Sequence, residues 1–309
     1  FRVGAGASGA STSLSMALIG VGHLVGLSVG IAMLIGMLIS WAGLVPILTA
    51  MHGASGDIGE LVNNTFRNEV RFIGAGTIGV AALWSLFRIL GPIVRGIAAA
   101  MAAADARKAG TALELTERDL PIGIVGGTTV AMLLPIAGLL WIFASGTAIA
   151  DGIAPVILGT LAYVLIIGVI IAAVCGYMAG LIGASNSPVS GVGILAVIGA
   201  ALLLVLVYGR GGTAEQSQAL IAYAIFTTGI VFSIATISND NLQDLKTGQL
   251  VGATPWKQQV ALVFGVIFGS LVIPPVLDLL NTAFGFVGAP NAGANALAAP
   301  QAALISALA

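Results

Sequence analysis

Charge is what this sequence has least of. Between Arg2 and Asp57 there is no Asp, Glu, Lys or Arg, and comparable uncharged stretches recur to the other end of the chain. Charged residues make up 7% of the 309 positions, against about 25% in soluble domains. That scarcity excludes a water-soluble fold of this length, which could not cover the apolar surface of a chain that is 58% hydrophobic with a mean hydropathy of +1.09. No basic run occurs and the net charge is -1, so nothing points to nucleic acid as a partner. A single cysteine, Cys175, excludes a disulfide framework. The two histidines, His23 and His52, have no zinc spacing, and neither a metal site nor a cofactor is expected.

What is present is long apolar runs. A helix of about 20 apolar residues crosses a hydrocarbon core of roughly 30 Å, so each run of 18 or more is a candidate span and the lipid bilayer is the expected solvent. The runs are Leu14 to Thr49, Phe72 to Leu90, Leu120 to Phe143, Ile153 to Ile182, Val189 to Tyr208, Ala219 to Ile237 and Gln258 to Leu280, with a further one starting near Ala296. The fold class predicted is all-α, a polytopic integral membrane helical bundle of seven spans plus an incomplete eighth, forming one transmembrane domain over 1–309. The first run is too long for one straight crossing, since at the helical rise it would reach about 54 Å. It reads as a tilted helix with a glycine break or a re-entrant piece followed by a span. The 43 glycines suit a bundle in which small residues let helix backbones approach. The chain opens on Phe1 rather than Met and closes on an apolar segment too short to span, and so reads as a window from a longer protein whose remaining helices would be its partners.

Lys and Arg in short loops set orientation. Arg95, Arg107, Lys108 and Arg118 lie in 91–119, which is expected to be a cytoplasmic loop carrying a surface helix from Pro92 to Ala109. Alternation then puts the loop at Asn186 and the stretch Ser238 to Lys257 on the same side; Arg67, Arg71 and Arg210 run against this assignment.

Uncharged polarity is concentrated in two places. Gly183-Ala-Ser-Asn-Ser-Pro-Val-Ser-Gly191 joins two apolar runs. Pro188 cannot continue a helix, and interrupted helix at membrane depth is tolerated only against protein or along a watered cavity. Ser185, Asn186 and Ser187 beside Pro188 are therefore candidates for a transport pathway, with a tight structural turn as the alternative. In the second, Ser238-Asn-Asp-Asn-Leu-Gln-Asp-Leu-Lys-Thr-Gly248, a helix would put Asp240, Gln243, Asp244 and Thr247 on one face. Two carboxylates four residues apart repel and need a proton, donor or cation, for which Lys246 is the nearest in sequence. Asp240, Asn241, Gln243, Asp244 and Lys246 complete the candidate pathway; a solvated connector capped by Gly248 is the alternative. His23, His52 and Asp278 are further ionisable groups in or near spans.

These segments resemble the oligopeptide transporter family in its prokaryotic form. The resemblance runs through Gly176 to Ile194 and Ser238 to Trp256; Asn295 to Ala303 is similar to a third family segment, and Arg118-Asp119-Leu120-Pro121 matches the approach to a span. It implies a secondary active transporter, a proton-coupled symporter taking up short peptides or metal-chelate complexes, in a bacterial inner membrane. Catalytic residues are not expected. Two other classes remain as alternatives. One is an intramembrane serine hydrolase, with Ser185, Ser187 or Ser190 as nucleophile and His23 or His52 as base. The other is a passive channel, against which stands the lack of a charge ring or carbonyl filter repeat.

Overall fold

The structure is a computed structural model and describes residues 1–309 except 13–14, 54–55, 109–113, 183–186, 188, 211, 288, 290–291 and 294. The chain divides into two compact units, Phe1–Ile78 and Gly79–Ala309. Among the described residues seven helical stretches are long and apolar enough to cross a membrane.

In the first unit the long apolar run is broken, as expected of its length, into α1 (Met16–Val25) and α2 (Leu27–Met37). The break falls at Gly26, whose φ of 87° only glycine adopts without strain. α2 continues into a π-helical turn over Leu38–Leu44 and then α3 (Val45–His52). The wide turn has a local cause. Val45 N–H reaches back to Ser40 O, so Trp41 O has lost its ordinary partner, and the next residue able to serve it in π register, Pro46, has no N–H. The hydroxyl of Ser8 donates to Trp41 O instead.

Ser8 is delivered there by a short hairpin, β1 (Arg2–Val3) and β2 (Gly6–Ala7), paired with Arg2 opposite Ala7. Thr49 of α3 holds the hairpin: its Oγ1 accepts Ala7 N–H at 2.8 Å and lies 2.7 Å from Val45 O. Gly6 is pressed on the helix so closely that a Cβ there would lie 2.0 Å from Pro46 O. α4 (Ile58–Thr65) is capped by the carboxylate of Asp57, which accepts Gly59 N–H at 2.8 Å. A second π-helical turn, Phe66–Val70, follows. Ala7, Val45, Val62 and Val70 form the buried centre of this unit, and the rings of Trp41 and Phe66 stack beside it at 4.7 Å.

α5 runs unbroken from Arg71 to Lys108 with Pro92 inside it, so no separate helix starts at Pro92. The missing N–H costs one bond in a helix long enough to absorb it, and prolines recur within the helices of the second unit. That unit continues with α6 (Ile122–Ser145), α7 (Ile153–Ile182), α8 (Val189–Val207), α9 (Ala214–Val251), α10 (Pro255–Phe284) and α11 (Pro300–Leu308).

Its centre is the pair α7 and α9, which run parallel. Ile153, Val156 and Ile157 near the start of α7 pack on Ala219, Leu220 and Tyr223 near the start of α9, and Ile171 and Cys175 pack on Val231 and Ala235 further along. α8 returns antiparallel beside them, with Ala200 and Leu204 in the first cluster and Val192 and Ala196 in the second. α9 presents Tyr223, Thr227, Val231, Ala235 and Asn239, one every fourth residue, as a fully buried ridge. Where bulk would block this packing, glycine is found: a Cβ on Gly193 would lie 2.0 Å from the Phe232 ring. By contrast α10 buries no residue, and the most apolar window of α6 buries none.

The polar stretch after Ile237 extends α9 to Val251. Its cap is not Gly248 but Gly252, in the left-handed region at φ 76°, where Ala253 N–H closes on Gly248 O at 2.8 Å.

Candidate functional site

The two polar segments meet where the last turns of α7 cross α9. Gly176 and Gly180 give α7 a smooth face, and into it fit Ser238 and Leu242 of α9; a Cβ on Gly176 would lie 2.7 Å from Ser238 Oγ. Small residues of this kind let the backbones come near enough for side-chain-to-backbone bonding. Ser238 Oγ donates to Ala172 O at 2.6 Å. Ser187, between α7 and α8, donates to Cys175 O at 2.8 Å and accepts a hydrogen bond from Asn239 Nδ2. Asn239 is 2% exposed and its Oδ1 has no partner among the described residues. A buried amide oxygen left open is costly, and it marks this crossing as a point where a hydrogen bond from a water or a ligand group can be accepted.

One turn further on, Asp240 and Asp244 stand exposed on α9. Among the described residues neither makes an ion pair or hydrogen bond; Lys246, the sequence's nearest cation, instead donates to Gln249 Oε1 at 3.1 Å. Asp244 lines a cavity of about 470 Å³ with Thr247, Gly248, Ala253 and Gln258, open at the turn between α9 and α10. Gly248 makes room there, since a Cβ would lie 1.7 Å from Gln258 Nε2, and Gln258 Oε1 is another buried acceptor without a partner among the described residues. The start of α10 is tied to the chain before α6. Trp256 N–H donates to Arg118 O at 3.2 Å, and Gln259 Nε2 donates to Asp119 Oδ1 at 2.9 Å. Arg118 and Asp119 ahead of α6, Ser187 and the end of α9 thus lie at one polar end of this unit.

Of the residues expected to form a pathway, Ser187, Asp240, Asn241, Gln243, Asp244 and Lys246 lie at this end; Ser185, Asn186 and Pro188 lie outside the described residues. α7 ends at Ile182 and α8 begins at Val189, so the two are separate helices. Sequence reading passed over Asn239 and Gln258. Asn239 was findable, as the only position of the buried fourfold ridge of α9 that falls inside the polar stretch.

Hydrolase chemistry finds no support in these contacts. The hydrogen of Ser187 is spent on a backbone carbonyl rather than aimed at a base, and the imidazole of His52, in the first unit, is held 2.8 Å from Glu69 Oε1. Among the described residues no group of three His, Cys, Asp or Glu is placed to hold a metal ion.

Comparison with known proteins points the same way as the residues. The model of a family described as OPT oligopeptide transporter protein matches residues 1–309. The chain is 40% identical over 308 residues to a Haemophilus influenzae protein named "Putative oligopeptide transporter", covering 95% of this chain and 48% of that one. A shorter similarity, 31% over 86 residues, covers 28% of the chain and 12% of a protein of Oryza sativa subsp. japonica named "Probable metal-nicotianamine transporter". An Arabidopsis thaliana protein also named as a probable metal-nicotianamine transporter is 31% identical over 85 residues, again 28% of the chain and 12% of that protein. The chain thus spans about half the length of the bacterial relative. No solved structure matches.

Proposed function

The chain belongs to the oligopeptide transporter family, and from that premise we propose that it forms part of a secondary active transporter which couples the uptake of short peptides or metal-chelate complexes to protons. It is an integral membrane protein; the membrane we assign is the bacterial inner membrane, with the polar end of the second unit facing the cytoplasm and 91–119 on that side.

One observation carries the coupling role. Asp240 and Asp244 are one helical turn apart, and among the described residues no cation pairs with either. Like charges so spaced repel, and we assign Asp244, which lines the adjoining cavity, the role of carrying the coupling proton. Asn239 and Gln258, whose side-chain oxygens have no partner among the described residues, flank it along α9 and α10. Ser185, Asn186 and Pro188 are proposed to complete the route beside Ser187. The unpacked faces of α6 and α10 are where the remaining helices of the full-length protein would lie.

The experiment is uptake by the full-length protein in proteoliposomes, with tripeptides and metal chelates offered separately. Uptake of one class should follow an inward proton gradient and vanish with a protonophore. Equal uptake with and without the gradient would contradict coupling, and uptake of neither class would contradict the transporter reading itself.

A further inference from the structure

The first unit holds a second cavity, of about 740 Å³, within the range of about 300–1,000 Å³ that small-molecule pockets occupy. Its wall is built by the first π-helical turn, the hairpin with the segment after it, and α4. Trp41, from the first π turn, stands in it backed by the stacked ring of Phe66 from the second. Met37, Val62 and Pro46 complete an apolar side. Ser11, Thr12 and Asn63 also line the cavity, and among the described residues none of their side chains has a hydrogen-bond partner. No Asp, Glu, Lys, Arg or His side chain is among the lining residues.

The wide turns explain why the space exists. An extra residue per turn swings Trp41 out of the α-helical register, and Ser8 holds it there by donating to the Trp41 carbonyl that Pro46 cannot serve. Such turns inside helices recur at functional sites.

We infer that this cavity is a binding pocket for an uncharged apolar side chain flanked by amide groups, as a short peptide with a central aromatic or aliphatic residue presents. An aromatic floor recognises the side chain by contact and stacking, while hydroxyl and carboxamide groups meet the neighbouring amides. A metal chelate bristling with carboxylates would find no Lys, Arg or His side chain among the described lining residues to meet them. The inference rests on the transporter reading, and it selects peptide over chelate within it.

The test uses the full-length protein and two readouts. The first is photolabelling by a tripeptide with a central benzoylphenylalanine, located by mass spectrometry, with Ala-Phe-Ala or triglycine as competitor. Labelling should fall within Met37–Pro46 and Ile58–Asn63 and be competed by Ala-Phe-Ala alone. The second is uptake by Trp41→Ala, which empties the floor, and by Ala42→Trp, which fills the cavity without removing a contact. Each should raise the KM for Ala-Phe-Ala about tenfold, the scale of losing one aromatic anchor, and leave triglycine within about twofold. A parallel loss for both peptides would make Trp41 a structural residue, labelling elsewhere would overturn the pocket, and a co-purifying lipid displaced by Ala42→Trp with peptide uptake unchanged would assign it to an acyl chain. Because labelling reads binding alone, labelling in the pocket without uptake would keep the pocket and refute the transporter reading.

Discussion

Gly176 of α7 lies against Ser238 of α9 with no room for a methyl group between them: a Cβ would come within 2.7 Å of Ser238 Oγ and 3.0 Å of Leu242 Cδ2. The serine uses that nearness to donate to Ala172 O at 2.6 Å. Gly176→Val should therefore force α7 and α9 apart and cost about 1–3 kcal/mol, as overpacking does. Thermal unfolding in detergent would read this as a lowered Tm, whereas Gly74→Val, at a glycine with open space around it, should change it little.

Ser187 and Asn239 should behave as one unit. Ser187→Ala takes away the acceptor of the Asn239 amide while Asn239 Oδ1 has no partner among the described residues, so a buried carboxamide would lose its one described bond, at about 1–3 kcal/mol. Adding Asn239→Leu removes that amide, and the double variant should be more stable than the sum of the two single ones. Strict additivity in a double-mutant cycle would mean the two side chains do not share a bond.

Buried polarity of a different kind lies nearer the start of α9. Thr227 is 1% exposed, and its hydroxyl has no partner among the described residues. Thr227→Val should leave stability unchanged or raise it by up to about 1 kcal/mol, since it removes an unsatisfied group at nearly constant shape. A clear loss of Tm would show that a water or ion meets this hydroxyl.

Ser8→Ala tests the origin of the first π turn. It leaves Trp41 O without a donor, and the expected cost is about 1–3 kcal/mol. Thr49→Val should cost more, because Thr49 serves both Ala7 N–H and Val45 O. Hydrogen exchange over Arg2–Ala7 would rise in both variants if the hairpin is held as described.

How legible all this was in the sequence depended on which force decided each feature. The limits of α7, Ile153–Ile182, coincide with the expected run because composition marks both ends, Asp151-Gly152 before it and the small, polar, proline-containing stretch from Gly183 after it. The end of α9 was set by other forces. Asp240 to Lys246 are polar enough to end a span yet not a helix, and Gly248 serves packing against Gln258 rather than termination. Pro92 marked a boundary by propensity that the continuous α5 ignores. At the candidate site, the carboxylates could be found by their spacing, but the open oxygens of Asn239 and Gln258 depend on which face each helix buries. The cavity beside Trp41 was least visible, since hydropathy reports that a residue is apolar and not that its turn is a π turn.

The most direct test of the coupling role is uptake by the full-length protein carrying Asp244→Asn, measured against the wild type with and without an inward proton gradient at equal amounts of inserted protein. Asp244→Asn keeps the shape of a side chain that lines its cavity from an exposed position and removes its capacity to exchange a proton. The account predicts that gradient-driven accumulation falls at least about tenfold, a barrier change of about 1.4 kcal/mol, while exchange of substrate across the membrane at equal pH persists. Accumulation that stays at the wild-type level and keeps its dependence on the gradient would contradict it.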